Sequence, residues 1–261
     1  MNIGIFDSGL GGLIMTRALV DAMPEYDYVY MGDTLHVPYG ARSPEAVYSF
    51  TRDCIDAMFR DYNCATVIIA CNTATIAALR RLQQEYLPAN YPERRILGVV
   101  KPTVEWAVGA GCRRIGLLAT EGTVRSDIYL DELWQLDEGI ELFSVSAPLL
   151  VPFIENDGDR FAAPVINEYV SKFPEIDALI LGCTHYPHYK GEIRALLPNV
   201  KVLSQDEILP EKFDDYLFRH PEISACLTKN GTRRFFVTDL SESYMRQAGR
   251  LFGADIHVEK V

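Results

Sequence analysis

The sequence predicts an α/β protein of two similar domains with mainly parallel sheets, related by internal pseudo-symmetry and facing each other across a cleft. Three observations predict it. Short β-branched or aliphatic runs alternate with helix-length stretches, the pattern of a mainly parallel sheet covered on both faces. The pattern also repeats: "IGIFDSG" from Ile3 aligns with "IGLLATEG" from Ile115, and "VIIACNTAT" (67–75) with "LILGCTHYP" (179–187), both at an offset of 112 residues. Finally, each half of the repeat carries a cysteine, Cys71 or Cys183, directly after an apolar run, where a parallel strand hands over to a helix.

In chain order the strand runs are "IGIF" (3–6), "YDYVYM" (26–31), "ATVIIA" (65–70), "RILGVV" (95–100), "IGLLA" (115–119), "IELFSV" (140–145), "ALILG" (178–182), "VKVL" (200–203) and "FFVT" (235–238). The stretch after "ARSP" illustrates the intervening helices. Ser43 can cap, Pro44 suits a first turn, and Val47, Phe50, Cys54, Met58 and Tyr62 recur every three or four residues. The repeat places a domain boundary near "RRILGVVKPT". The tail after "VLSQDEILPEK" has no counterpart in the repeat and is expected to return to the first domain. The division is therefore 1–97 plus 208–261 on the Cys71 side, and 98–207 on the Cys183 side.

Composition narrows the function classes. A chain of 261 residues, 48% of them apolar, can bury a sizeable core. It contains no run of 18 uncharged apolar residues, so no membrane span is expected. With 36 acidic against 25 basic residues the net charge is -11, which disfavours nucleic acid and anionic surfaces as partners. "MNIGIFDSGLGG" carries no basic leader and reaches Asp7 at once, which points to the cytoplasm. The six cysteines, at 54, 64, 71, 112, 183 and 226, have no paired short spacing. They read as reduced thiols rather than a disulfide framework or a Cys-x-x-Cys site.

A cysteine at a strand's carboxyl end and a helix's amino end lies near unpaired N–H groups and the positive end of the helix dipole. Both favour the thiolate. Asn72 and Thr73 in one half, and Thr184 in the other, add capping oxygens and donors, and helix N-termini hold carboxylates as readily as phosphates. Two thiols on opposite faces of a small carboxylate suggest proton removal from a stereogenic carbon by one and proton return by the other, a cofactor-independent racemisation or epimerisation. No lysine near these motifs stands out as a Schiff-base partner, so no cofactor is expected.

Plainer readings stand beside these. A cysteine after an apolar run is ordinarily a buried, inert thiol, and Cys54, Cys64, Cys112 and Cys226 keep that reading. Asp7 can simply cap the helix that begins near Gly11, His185 alone reads as a structural histidine, and Glu155 in "FIENDGD" as a solvated loop charge. Gly9, Gly11 and Gly12 after a strand, with Asp33 ending the next, hint at a dinucleotide fingerprint, but Ile14 occupies its third glycine position. Zinc between Cys71, Cys183 and His185 would be a sparse site. A non-catalytic binding protein built on the same cleft also remains open.

"IGIFDSGLGG", "GDTLHVPYG", "ACNTAT", "LATEGTVRS", "VPFIE" and "LILGCTHYP" together resemble glutamate racemase, from residue 3 to the C-terminal "RRFFVTD". The resemblance implies a two-domain enzyme without cofactor or metal that interconverts L- and D-glutamate for peptidoglycan synthesis, commonly as a homodimer. Carried over, Cys71 and Cys183 are the two bases, Asp7 assists Cys71, and His185 assists Cys183. The same resemblance gives Ser8, Pro38, Tyr39, Gly40, Asn72, Thr73, Thr120, Thr123 and Thr184 to the substrate, with Glu155 behind them. Related aspartate racemases tend to have glutamate after the second Cys-Thr, so His185 favours glutamate. Ala147 before "PLLVP", "TLH" after "GD", and Gln205 where a serine is frequent depart from the pattern outside the two cysteine motifs.

Overall fold

The computed structural model describes all 261 residues. Its ten strands are β1 (Asn2–Asp7), β2 (Tyr28–Gly32), β3 (Cys64–Ile69), β4 (Arg95–Gly98), β5 (Arg114–Ala119), β6 (Glu141–Ser146), β7 (Ala178–Gly182), β8 (Lys201–Ser204), β9 (Arg233–Val237) and β10 (Val258–Lys260). They form two sheets, in the orders β10-β9-β2-β1-β3-β4 and β6-β5-β7-β8. Every pairing is parallel. Nine strands fall on the runs read from the sequence. The tenth, "VEK", escapes that reading because it is three residues long and mostly polar, and it pairs only at the edge, Val258 opposite Phe235.

The sequence repeat becomes a repeat of register at the centre of each sheet. Ile3 of β1 faces Thr66 of β3, and Ile115 of β5 faces Ala178 of β7, so both partners shift by the same 112 residues. The flanking pairs drift: Ile3 faces Tyr28 where Ile115 faces Leu142, and Thr66 faces Arg95 where Ala178 faces Lys201. The chain thus keeps equivalent geometry in the two central strands whose carboxyl ends carry Ser8 and Cys71 in one half, and Thr120 and Cys183 in the other.

Burial follows from parallel pairing with helices on both faces. β2, β3 and β7 are buried at every position, whereas β6, at the edge of the smaller sheet, alternates between half-buried and exposed. One apolar cluster joins Ile5 and Tyr30 of the first sheet to Leu181 and Tyr186 of the second half, so the core is continuous between them. The helix Gly12–Ala22, through Leu13 and Leu19, and the helix Gln205–Arg219, through Leu209 and Phe213, both contribute to that cluster. Helix Pro44–Arg60 starts as its sequence suggests, with Ser43 Oγ accepting from the Ala46 N–H at 3.3 Å and with Val47, Cys54 and Met58 buried. No helix is long and apolar enough to cross a membrane.

Candidate active site

Cys71 follows β3 and is the N-cap residue of the helix Asn72–Arg81, its Sγ accepting from the Ala74 N–H at 3.4 Å. The Ser8 hydroxyl, at the end of β1, donates to the same sulfur at 3.4 Å. Both donors favour a thiolate, as the sequence suggests, yet the thiol is pushed up to about 12. Burial is the main cause and the nearby Asp7 charge adds to it, while the bonds from Ser8 and Ala74 oppose them without prevailing. Only 6% of Cys71 is exposed, so desolvation of the anion outweighs two weak donors. The helix terminus alone does not make this sulfur anionic.

Cys183 has a different neighbour. It follows β7, and the chain then makes only a 3₁₀ turn, Tyr186–Tyr189, before the short helix Lys190–Leu196. The terminus read from the sequence is therefore less developed here than at Cys71. Instead, His185 Nδ1 lies 3.8 Å from Cys183 Sγ, and Nε2 lies 2.9 Å from Glu155 Oε1. Burial by itself pushes the imidazole down, but the bonds and charges of Cys183 and Glu155 outweigh it and raise His185 to about 10. An imidazole whose protonated form is favoured, held by a carboxylate, thus sits beside the second sulfur.

The two halves meet at these strand ends. Thr184 Oγ1 donates to Asp7 Oδ1 at 3.3 Å, and Thr73 Oγ1 lies 3.3 Å from Thr120 Oγ1. Thr120 also donates to Thr123 Oγ1 at 3.1 Å and caps the turn Glu121–Arg125. A charge on Cys183 opposes ionisation of Cys71, so the sulfurs share one local field. The pseudo-equivalent positions differ in kind: Ser8 corresponds to Thr120 and Asn72 to Thr184, but Thr73 corresponds to His185 and Asp7 to Ala119. One thiol has a carboxylate nearby, the other an imidazolium.

Several side chains are engaged differently from the roles implied by resemblance. Asp7 makes no hydrogen bond to Cys71; its Oδ2 accepts from the Gly9 and Gly12 N–H groups at 3.0 and 2.9 Å, the capping arrangement. The Tyr39 phenol donates to Asp33 Oδ2 at 2.6 Å, Pro38 is exposed, and Gly40 packs near Thr120. The Asn72 amide faces Gln205 and Tyr129. Cys54, Cys64 and Cys112 are buried, but Cys226 is exposed, beyond the short helix Pro221–Ser224. A cavity of about 590 Å³ lies elsewhere, between Thr75, Lys101, Gln135 and Tyr216, and includes neither thiol.

The Asp/Glu/Hydantoin racemase family model matches residues 3–208. The chain belongs to the Asp/Glu/Hydantoin racemase family. It is 34% identical over 266 aligned positions to a glutamate racemase of Sulfurihydrogenibium sp., covering 100% of this chain and 97% of the relative. A glutamate racemase of Aquifex aeolicus is 33% identical, with 98% and 96% covered. Among solved structures, a glutamate racemase isoform from Bacillus anthracis superposes with a TM-score of 0.89 at 30% identity, covering 100% of this chain and 97% of that one. The glutamate racemase of Francisella tularensis in complex with D-glutamate gives 0.88 at 30% identity, with the same coverage.

Within this racemase family setting, the glycines near the N-terminus have a function that a nucleotide fingerprint does not describe. A Cβ on Gly11 would stand 2.3 Å from Thr184 Oγ1 and 2.5 Å from His185 Nδ1, and one on Gly12 would stand 2.3 Å from Asp7 Cβ. Gly11 lets the first turn of one half approach the Cys183 loop of the other, and Gly12 lets that turn close onto Asp7 and Tyr30 of its own half. The spacing of Gly9, Gly11 and Gly12 signals a close approach but not its partner. Tyr129 and Thr103 gave no sequence signal for the site, and Gln205 showed only as a departure from the family pattern, because their contacts span 57 to 133 residues.

Proposed function

We propose that the protein interconverts L- and D-glutamate by two-base proton transfer, with Cys71 and Cys183 on opposite faces of the substrate. The observation that carries this reading is the asymmetric pair of thiols at matched strand ends: Cys71 Sγ accepts from the Ser8 hydroxyl and the Ala74 N–H, and Cys183 Sγ lies beside His185, which Glu155 holds. With L-glutamate, the Cys183 thiolate removes the α-proton and becomes a thiol, while the α-carbon carries the electron pair into the adjacent carboxylate. The Cys71 thiol then delivers its proton to the far face and becomes a thiolate. No electron is gained or lost overall, and the reverse reaction exchanges the roles. Neither a cofactor nor a metal takes part.

His185, itself held by Glu155, stabilises charge at Cys183, and Ser8 and the Ala74 N–H do so at Cys71 once substrate binding has changed its surroundings. Asp7 acts on Cys71 through its charge and on the opposite half through Thr184. We assign the substrate's carboxylates and ammonium to Ser8, Thr73, Thr120, Thr123 and Thr184, to backbone groups of Pro38, Tyr39 and Gly40, and to the N–H of Asn72, whose amide is committed elsewhere. The two thiols and His185 are each about one-twentieth exposed, so the halves must part to admit the substrate. We take 1–97 with 208–261 and 98–207 as the moving units; membership of β1–β4, β9 and β10 in one sheet and β5–β8 in the other supports this division, with the chain crossing at 98–100 and 204–205. A homodimer, a cytoplasmic location and supply of D-glutamate to peptidoglycan complete the reading.

The test is circular dichroism of pure L-glutamate incubated with the purified protein, a chelator and no added cofactor. Loss of the signal to zero is expected. A signal that stays constant, or that decays only when metal is restored, refutes the reading.

A further inference from the structure

We propose that Gln205 is a positioning residue for inversion: it fixes the Cys71 arm against the Cys183 half at the pivot between them. This rests on the two-thiol reading above. The Asn72 and Gln205 side chains form a closed amide pair, Asn72 Nδ2 donating to Gln205 Oε1 at 2.8 Å and Gln205 Nε2 to Asn72 Oδ1 at 3.0 Å. Gln205 Nε2 also lies 3.2 Å from both Thr103 Oγ1 and the Tyr129 hydroxyl. That hydroxyl in turn donates to Asn72 Oδ1 at 2.6 Å. None of the four residues is more than 3% exposed.

The position of this cluster, not its size, suggests its role. The chain passes between the halves twice, at 98–100 after β4 and at 204–205 after β8; Thr103 lies on the helix that follows the first passage and Gln205 opens the helix that follows the second. Asn72 is the residue after Cys71, and Tyr129 feels the charge of Cys183. The network therefore joins both crossings to the Cys71-bearing loop and, through Tyr129, to the helix Ile128–Leu136 of the Cys183 half. Buried amides that satisfy one another hold a single arrangement, because any slip leaves polar groups unpaired. Since the halves must open around some fixed point, a network at both crossings lets them move without changing where Cys71 returns. The Gln205 side chain is hydrogen-bonded to neither sulfur; it acts through Asn72.

Inversion needs both sulfurs in register, whereas exchange of the α-proton at one face needs only one. Gln205→Met keeps the volume and removes the hydrogen bonds, so it should lower inversion selectively. Misplacement of about 1 Å can cost about 100-fold in rate, so we expect inversion of either isomer to fall at least roughly tenfold. Deuterium incorporation into L-glutamate without inversion, which uses Cys183 alone and is followed in heavy water by mass spectrometry, should change less than about threefold on the same reasoning. Amide hydrogen exchange of the folded protein should quicken over residues 72–78 and 128–136. Equal loss of exchange and inversion, or no loss of either, overturns the proposal. If the unaltered protein fails to racemise glutamate, the two-thiol reading falls, and amide exchange alone decides the pivot: faster exchange in those segments supports it, unchanged exchange overturns it. Should Gln205→Met not fold, Thr103→Val, which removes one contact of the same amide, carries the same measurements and outcomes.

Discussion

Replacing Glu155 by Gln tests the charge arrangement at Cys183 most directly. The substitution keeps the shape and an oxygen facing His185 Nε2, 2.9 Å away, but removes the charge. His185 stands at about 10 because Cys183 and Glu155 together overcome the burial that pushes it down. A hydrogen bond to a charged partner contributes about 1.5–3 kcal/mol and a neutral one about 0.5–1.5. Losing that difference, about 1–1.5 kcal/mol, lowers the imidazolium by roughly 1 pH unit, at about 1.4 kcal/mol per unit. At pH 9 the protonated fraction then falls from about 90% to roughly 50%, about a twofold loss of kcat/KM for L-glutamate, while at pH 7 the loss stays within about 2%. The assay is the pH profile of kcat/KM for L-glutamate followed by circular dichroism, since that ratio reports the free enzyme. Stability has the matching sign. A histidine raised above its ordinary value stabilises the fold fully below about pH 6.5 and loses that contribution as pH rises through about 10. Glu155→Gln should therefore lower Tm at neutral pH, and the difference should vanish above about pH 10. An alkaline limb that stays at the same pH in the variant refutes the argument.

Gly11→Ala puts a methyl group 2.3 Å from Thr184 Oγ1 and 2.5 Å from His185 Nδ1; we expect kcat/KM to fall about 100-fold with the fold retained, as judged by kinetics beside thermal melting. Cys183→Ala should abolish inversion in both directions yet allow slow deuterium uptake into D-glutamate, and Cys71→Ala the mirror result; appreciable inversion by either folded variant in heavy water contradicts two bases. Aspartate, one methylene shorter, cannot satisfy both ends of a site spaced for glutamate, so its kcat/KM should be lower by roughly 10⁴-fold; comparable efficiencies would remove the substrate assignment.

The sequence by itself determined the class of fold, nine of the ten strands and the equivalence of the two thiols. These are properties of local pattern and of a constant offset, and parallel strands buried on both faces leave apolar runs that can be read without knowing their partners. It also contained the raw material of the site, with Asp7, Ser8, Cys71, Thr120, Cys183 and His185 all at strand ends. Only the tertiary structure decided how those groups are used. Glu155 reads as a loop charge until the second half brings it to His185 from 30 residues away. Asp7 turns from Cys71 toward Gly9, Gly12 and Thr184, and the Asn72 amide is claimed by Gln205 across 133 residues. The thiol of Cys71 is raised although its helix position favours the anion, because burial comes from everything packed around it. Charge and desolvation depend on distances between segments remote in the chain, and no periodicity within a segment encodes those distances.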